Sequence, residues 1–333
     1  MPSACPPDIV IPKDFVLLAS KQYPMTIITE LKPVISHKID SSLCTQCDLC
    51  ITICPAAILA KNAEKSIYFQ ADKVDLCIKC GHCMAMCETA AISIEGLSYE
   101  TNFRPLPQTN WNYAAFMDFL LTRRSVRIFR DEPVPVEVLQ KIIDAVSTAP
   151  FAVNPDNVEI TVVNDKKVIE EALPHMSRMY IQLAKILKIP VLNWFLLRTM
   201  PKEVSNTLVN FIGPHVNKGL YDSSAGTDDI TRNAPALILF HAGKGAEEHT
   251  VDAHIYLTYA LLAAHSLGLG ATAIGLIGPA VNQSKPLRRL FKIPEGNEVV
   301  ESMIIGYPEF LFKRAIVRPR TKVTFISSGE LMS

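Results

Sequence analysis

Charge of one sign is the first thing this chain lacks. Lysine plus arginine number 33 and aspartate plus glutamate 33, a formal net charge of zero, which argues against the basic surface that binds nucleic acid. Nucleic acid is not an expected partner. A long apolar run is also missing. The most apolar stretch outside the motifs below, residues 181–197, is broken by Lys185, Lys188 and Pro190. It falls short of the roughly 20 unbroken apolar residues of a spanning helix. It reads as a buried or partner-facing helix, and no membrane partner is expected. The start, Met1-Pro2-Ser3-Ala4-Cys5-Pro6-Pro7, has no basic segment leading into an apolar one, so a secretory signal is not supported and the cytoplasm is the expected location. No Gly-x-Gly-x-x-Gly follows a strand, and no nucleophile or acid–base pair stands out. His175, His241 and His254 stand isolated and read as structural. What remains, 333 residues with 49% hydrophobic and 20% charged, is ordinary globular composition for two or three domains.

Cysteine is scarce outside one pattern. Eight of the nine fall in two copies of a single spacing, Cys44-x-x-Cys47-x-x-Cys50-x-x-x-Cys54 and Cys77-x-x-Cys80-x-x-Cys83-x-x-x-Cys87, offset by 33 residues (77 − 44). Three thiolates at intervals of three with a fourth from a distance suit the corners of an iron–sulfur cubane, and two 4Fe-4S clusters are the direct reading. Structural zinc would need only two Cys-x-x-Cys pairs and gains nothing from the third close cysteine. A disulfide framework belongs to small secreted domains, not to a chain that can bury a large core. Residues 37–100 resemble a bacterial two-cluster ferredoxin. That resemblance implies crossed ligand sets, Cys44, Cys47 and Cys50 with Cys87, and Cys77, Cys80 and Cys83 with Cys54. One departure is that Cys54 is followed by the usual Pro55 but Cys87 by Glu88, which bears on the local turn and the cluster potential. Cys5, the remaining cysteine, has no basic or histidine neighbours and reads as an ordinary reduced thiol.

Around this unit, residues 1–36 read as an extended arm and 101–113, with Pro105 and Pro107, as a linker. From 114 onward helix and strand patterns alternate. Phe116, Phe119 and Leu120 form one helical face, and Val136, Leu139, Ile142, Ile143 and Val146 another. Residues 158–163 alternate as a strand, Asn164-Asp165 opens a helix, and 236–240 is a buried strand. Residues 255–262 belong to a helix that stops at Gly268, 271–277 is a strand, 287–291 a short helix, and 299–305 a strand. This mixture favours an α+β domain with a mixed sheet.

Arg123-Arg124-Ser125-Val126-Arg127 places three guanidinium groups and a hydroxyl at a helix end, where they can grip phosphate oxygens or simply form a solvated basic surface. Three segments follow it: 149–154 (Ala-Pro-Phe-Ala-Val-Asn), 268–275 (Gly-Leu-Gly-Ala-Thr-Ala-Ile-Gly), and Gly306-Tyr307-Pro308 with Arg314, Arg318 and Arg320 beyond. In this order they resemble the nitroreductase family of FMN-binding flavoproteins over roughly residues 114–328. The resemblance implies that Arg123, Ser125 and Arg127, with Arg124 a looser member, contact the FMN phosphate and ribityl chain, and that Arg318 and Arg320 close on it from the tail. It implies that Pro150 and Asn154 lie beside the flavin ring and that Ala273, Ile274 and Gly275 approach its reactive edge. It also implies a homodimer with FMN at the subunit interface. Phe151 and Asp156 depart from the serine and glutamine frequent in the family. Residues 175–232, with Tyr180, Trp194, Phe195, Phe211 and Tyr221, read as a lid or dimerisation insertion, and 222–229 within them as a polar, mobile loop.

The expected fold class is α+β: a two-cluster ferredoxin-like domain (37–100) fused to a nitroreductase-like α+β domain (114–333) with a mixed central sheet. The expected function is an iron–sulfur flavin oxidoreductase that passes electrons between two 4Fe-4S clusters and FMN. Its external donor would be ferredoxin or NAD(P)H, and its acceptor a small molecule such as a nitroaromatic, quinone, activated alkene or disulfide. A non-catalytic electron-carrier subunit and a redox sensor are the alternatives from other classes.

Overall fold

The computed structural model describes residues 37–108, 112–199, 202, 206, 220–318 and 322–326. The expected arm, Cys5, Phe211 and Arg320 lie outside the described residues.

The cysteine-rich region is built from very short elements: β1 (Lys38–Ile39), α1 (Leu49–Ile53), β2 (Leu59–Lys61), β3 (Ile67–Phe69), α2 (His82–Ala85), β4 (Ile92–Ser93) and α3 (Tyr99–Asn102). β1 pairs antiparallel with β4 through Lys38↔Ser93 and Ile39↔Ile92, which closes the start of the first repeat onto the end of the second. β2 and β3 form a hairpin between the repeats. The buried side chains are few, chiefly Ile58, Leu59, Ile67, Met84, Ile92 and Ile94 around Cys50. α3 is capped by Ser98, whose hydroxyl accepts from Glu100 N, and it packs with Phe103 onto this cluster, so the unit extends past residue 100.

The repeat in the sequence is also a repeat in the backbone. Left-handed φ recurs at the same offset in Gln46 (57°) and Lys79 (52°), in Asp48 (64°) and Gly81 (72°), and in Ala57 (48°) and Ala90 (54°). Only one of these six is glycine, and side chains resist this conformation. The loops are therefore held in shape by something other than local preference.

The second region comprises α4 (Tyr113–Thr122), α5 (Val136–Val146), β5 (Val158–Val163), α6 (Lys166–Leu187), α7 (Pro190–Thr199), β6 (Tyr221–Asp222), β7 (Thr227–Asp228), β8 (Ala236–Gly243), α8 (His249–Ser266), β9 (Gly270–Ala273), α9 (Ile277–Gln283), α10 (Lys285–Leu290) and β10 (Asn297–Gly306). The sheet runs β5-β8-β10-β9, and every pairing among these strands is antiparallel. Its parallel component is an edge bridge, Ser125↔Ala271, so the mixed character comes from the segment after α4.

β8 is buried on both faces, and its two-residue period splits the core. Ala236, Ile238, Phe240 and Ala242 meet α5 and α8 on one side. Leu237 and Leu239 meet α6, α9 and α10 on the other. Each large apolar side chain buried this way contributes roughly 1.5–3 kcal/mol.

Several expectations change. The strand expected over 271–277 ends at Ala273 because Ser302 takes over the next residue: Ile274 N donates to Ser302 O at 2.9 Å and Ser302 Oγ donates to Ile274 O at 2.6 Å. Ile277 instead opens α9 and is fully buried. Residues 175–187 continue α6, where buried Tyr180 donates to Leu276 O at 2.5 Å. The apolar stretch 181–197 is two helices separated before Pro190, with Ile181, Ile186, Ile189, Val191 and Trp194 exposed and Leu183 and Ala184 packed against the core. The polar segment 222–229 is a hairpin with an anchored base. The buried Asp228 carboxylate accepts from the amides of Ile230, Thr231 and Asn233 and from the Thr231 hydroxyl. No helix of the described residues is long and apolar enough to cross a membrane.

Candidate functional sites: two cysteine cavities and an arginine cleft

The eight described cysteines are free thiols and gather in two places. A cavity of about 240 Å³ is lined by Cys44, Cys47, Cys50, Cys83 and Cys87. A second is lined by Cys77, Cys80, Cys83 and Cys54. Each cavity thus draws cysteines from both repeats, Cys87 and Cys83 joining the first-repeat thiols in one and Cys54 joining the second-repeat thiols in the other. Among the described residues no group of three or more His, Cys, Asp or Glu is close enough to hold a single metal ion. The chemistry of the donors also calls for a positive centre. Burial pushes the Cys83 thiol up to about 12, with Cys77, Cys80 and Cys54 adding to the rise, and it pushes Cys50 and Cys77 up as well. Four thiolates in such a space repel one another unless iron lies between them, and the residues present fit an iron–sulfur cluster.

α2 shows why local sequence matters here. Gly81 precedes it with φ +72°, and a Cβ there would stand 3.1 Å from Phe103 Cζ. Glycine eases this turn, which Asp48 adopts in the first repeat despite its side chain, and leaves room for the approach of Phe103.

The arginine cleft lies where α4 ends. Arg123 is extended (φ −68°, ψ 134°), and the chain then runs beside β9, with Val126 N donating to Ala271 O at 3.2 Å. Close approach depends on Gly270, since a Cβ there would fall 2.6 Å from Val126 Cγ1. A cleft of about 410 Å³ results, with Arg123, Arg124, Ser125, Arg127 and Arg318 in its wall. Arg124 gives NH1 to Arg123 O at 2.6 Å, but its Nε and NH2 are buried with no partner among the described residues. Buried guanidinium nitrogens without an acceptor leave a strong donor set open to an anion, and a phosphate fits.

Beside it, a cavity of about 300 Å³ reaches Arg123 and Arg124 from the other side and includes His265. Thr122 Oγ1 donates to Phe119 O at 2.8 Å, so its oxygen accepts from His265 Nε2 at 2.8 Å. Burial first, and then the charges of Arg123 and Arg124, hold His265 below its ordinary value.

The other expected ring contacts are not in the wall of the arginine cleft. Asn154 uses Oδ1 to accept from Asp156 N at 3.0 Å, capping the short turn at Pro155–Asn157. The loop from Pro150 is tied to α8, where Ala152 N donates to Asp252 Oδ1 at 2.9 Å and Tyr256 OH to Pro155 O at 3.3 Å. Asp252 is 1% exposed and its Oδ2 has no partner. Ala273, Ile274 and Gly275 form the turn between β9 and α9, fixed by Ser302.

Sequence reasoning missed Asp252 and His265. For Asp252 there was a signal: positions 252, 253, 256, 257, 260 and 264 make the buried face of α8 at helical spacing, and an aspartate among them calls for an explanation.

The nitroreductase family profile matches residues 120–307, and a 4Fe-4S dicluster domain profile matches residues 36–88. The FMN reductase [NAD(P)H] of Bacillus subtilis is 26% identical over 221 residues, which cover 64% of this chain and 76% of that one. Iodotyrosine deiodinase 1 of Rattus norvegicus is 30% identical over 96 residues, 26% of this chain and 34% of that one. Among solved structures, a nitroreductase with bound FMN from Bacteroides fragilis aligns with a TM-score of 0.49 at 18% identity, covering 63% of this chain and 98% of that one.

Proposed function

Because the chain belongs to the nitroreductase family and carries an N-terminal 4Fe-4S dicluster domain, we propose that it couples two clusters to FMN as a converter between one-electron and two-electron chemistry. The reading rests on one observation above all: the same chain presents two cavities lined by cysteines of both repeats and a cleft with guanidinium donors unpartnered among the described residues.

In this proposal Cys44, Cys47, Cys50 and Cys87 hold one cluster, and Cys77, Cys80, Cys83 and Cys54 the other. Arg123, Arg124, Ser125 and Arg127, joined by Arg318 and Arg320, hold the FMN phosphate and fix the register of the cofactor. Pro150 and Asn154 flank the ring, and Ala273, Ile274 and Gly275 line its edge. Asp252 keeps the Pro150–Asn154 loop in place through the Ala152 amide. When bound, FMN accepts electrons singly and passes them on in pairs with a proton. The protein binds, orients and excludes water; no side chain here is assigned an acid or base role.

We place the protein in the cytoplasm as a homodimer in which two chains complete each FMN site, which accounts for ring-side segments that stand outside the arginine cleft of a single chain. Donor and acceptor follow the same logic. Reduced ferredoxin or NAD(P)H supplies electrons, the latter in keeping with the name of the Bacillus subtilis relative. A nitroaromatic, quinone, activated alkene or disulfide receives them. The test is an anaerobic titration of the holoprotein with reduced ferredoxin and, separately, NAD(P)H, following flavin and cluster absorbance, and then a panel of these acceptors. Bleaching of both chromophores and reoxidation by an acceptor is expected. Intact clusters that exchange no electrons with the flavin under either donor would end the proposal.

A further inference from the structure

The two repeats agree in backbone but not in what surrounds their fourth cysteine. Cys54 is followed by Pro55 and Ala56, Cys87 by Glu88 and Thr89. The Ala91 amide donates to Cys87 Sγ at 3.3 Å, and the Thr89 hydroxyl stands 3.7 Å from the same sulfur. Ala56, at the place of Thr89 in the first repeat, has no hydroxyl to offer.

Tyr99 brings a third donor. Its hydroxyl is buried and has no hydrogen-bond partner among the described residues, and the ring packs in the apolar cluster that contains Cys83 and Cys87. The Phe103 ring lies 5.4 Å from that of Tyr99 and rests against Gly81 at the start of α2, so α3 is set onto the cysteine loops rather than left in solvent.

We propose that Tyr99 and Thr89 are outer hydrogen-bond donors to the Cys87 sulfur and raise the reduction potential of the cluster held by Cys44, Cys47, Cys50 and Cys87. The inference rests on the reading of that cavity as a cluster site. Reduction adds one negative charge, part of which resides on the ligand sulfurs, so donors aimed at a sulfur stabilise the reduced form more than the oxidised one. Glu88, also at this cavity, acts in the opposite direction, but it is exposed and screened by water, whereas the Tyr99 oxygen is not.

The experiment is an EPR-monitored potentiometric titration of the full-length protein with clusters assembled, in the wild type, Tyr99→Phe and Thr89→Val. One couple is expected to fall in both variants while the other stays put. For Tyr99→Phe the change is roughly tenfold in the reduction equilibrium, which for a one-electron couple is 59 mV; for Thr89→Val it is smaller. Unmoved couples in variants with full iron content would overturn the proposal. A wild-type protein that assembles no four-iron clusters would instead overturn the reading beneath it. Should Tyr99→Phe fail to hold iron, ENDOR of the reduced wild type in ²H₂O decides. Rapidly exchanging hydroxyl hydrogens coupled to a cluster support the proposal, and coupling to amide and carbon-bound hydrogens alone overturns it.

Discussion

The cysteine-rich region and the sheet region solve the problem of stability in opposite ways. Residues 37–103 have strands of two or three residues, a small apolar cluster, and non-glycine residues in left-handed backbone at matching places in both repeats. The sheet region has an eight-residue central strand buried on both faces and two apolar cores that do not include the cysteine-rich residues. On the proposed reading the first region has its shape imposed by what its thiols bind, since short elements and strained loops cannot hold themselves, while the second is held by packing and would only borrow its cofactor.

The sharpest way to break this contrast is to remove the iron. Chelation under reducing conditions is expected to unfold residues 37–103 and leave the sheet standing. Hydrogen exchange followed by mass spectrometry would show amides of α1, α2 and the β2–β3 hairpin exchanging at unfolded rates while those of β8 and β10 stay protected. Protection retained in both regions after complete loss of iron would mean that the cysteine loops carry their own stability, and the contrast would fail.

The converse perturbation acts on the sheet. Phe240 is fully buried on the α5–α8 face of β8, and Phe240→Ala is expected to destabilise this region by roughly 3–5 kcal/mol through lost burial and a cavity. Urea unfolding read through far-ultraviolet circular dichroism should move to lower denaturant, while iron content per chain stays at the wild-type level. A parallel loss of iron would show that the regions are energetically one.

A smaller effect separates fold from cofactor within the sheet region. Arg123→Ala removes a charged donor from the cleft wall and is expected to weaken FMN binding by about 2 kcal/mol, roughly 30-fold in Kd, with little change in unfolding. Flavin fluorescence quenching on titration of the apoprotein measures it. A Kd within about twofold of wild type would place the phosphate elsewhere.

The same contrast explains what could be read from the sequence. β5 is legible to the residue because its alternation matches a half-buried strand, and the grouping of the cysteines follows from spacing and resemblance. The end of β9 is not legible. Its run of small and branched residues continues to Ile277, and the interruption comes from Ser302, distant in sequence and adjacent in space. Gln46, Ala57, Lys79 and Ala90 carry no mark of left-handed backbone, because their conformation is set by the loops around the cavities and not by their own preference. Arg123, Ser125 and Arg127 were legible as a group, but the unpartnered nitrogens of Arg124, regarded from sequence as the looser member, became visible only with packing.

The smallest effect expected is also the most local. In the chain alone, burial and the charges of Arg123 and Arg124 hold His265 below its ordinary value. Folding therefore favours the neutral ring, and the stability His265 contributes is complete above its unfolded value of roughly 6.5 and is lost as pH falls from there toward the folded value. A phosphate in the cleft would offset part of the arginine field and raise the His265 value, which narrows that window. NMR titration of the His265 ring with and without FMN should show an upward shift on binding, and the slope of stability between pH 7 and 5 should flatten with it. His265→Gln should remove that part of the slope while leaving the iron content untouched. An upward shift of His265 that needs intact clusters, and not FMN alone, would mean that the cysteine-rich region reaches this cleft electrostatically, and the two regions could no longer be treated as separate solutions.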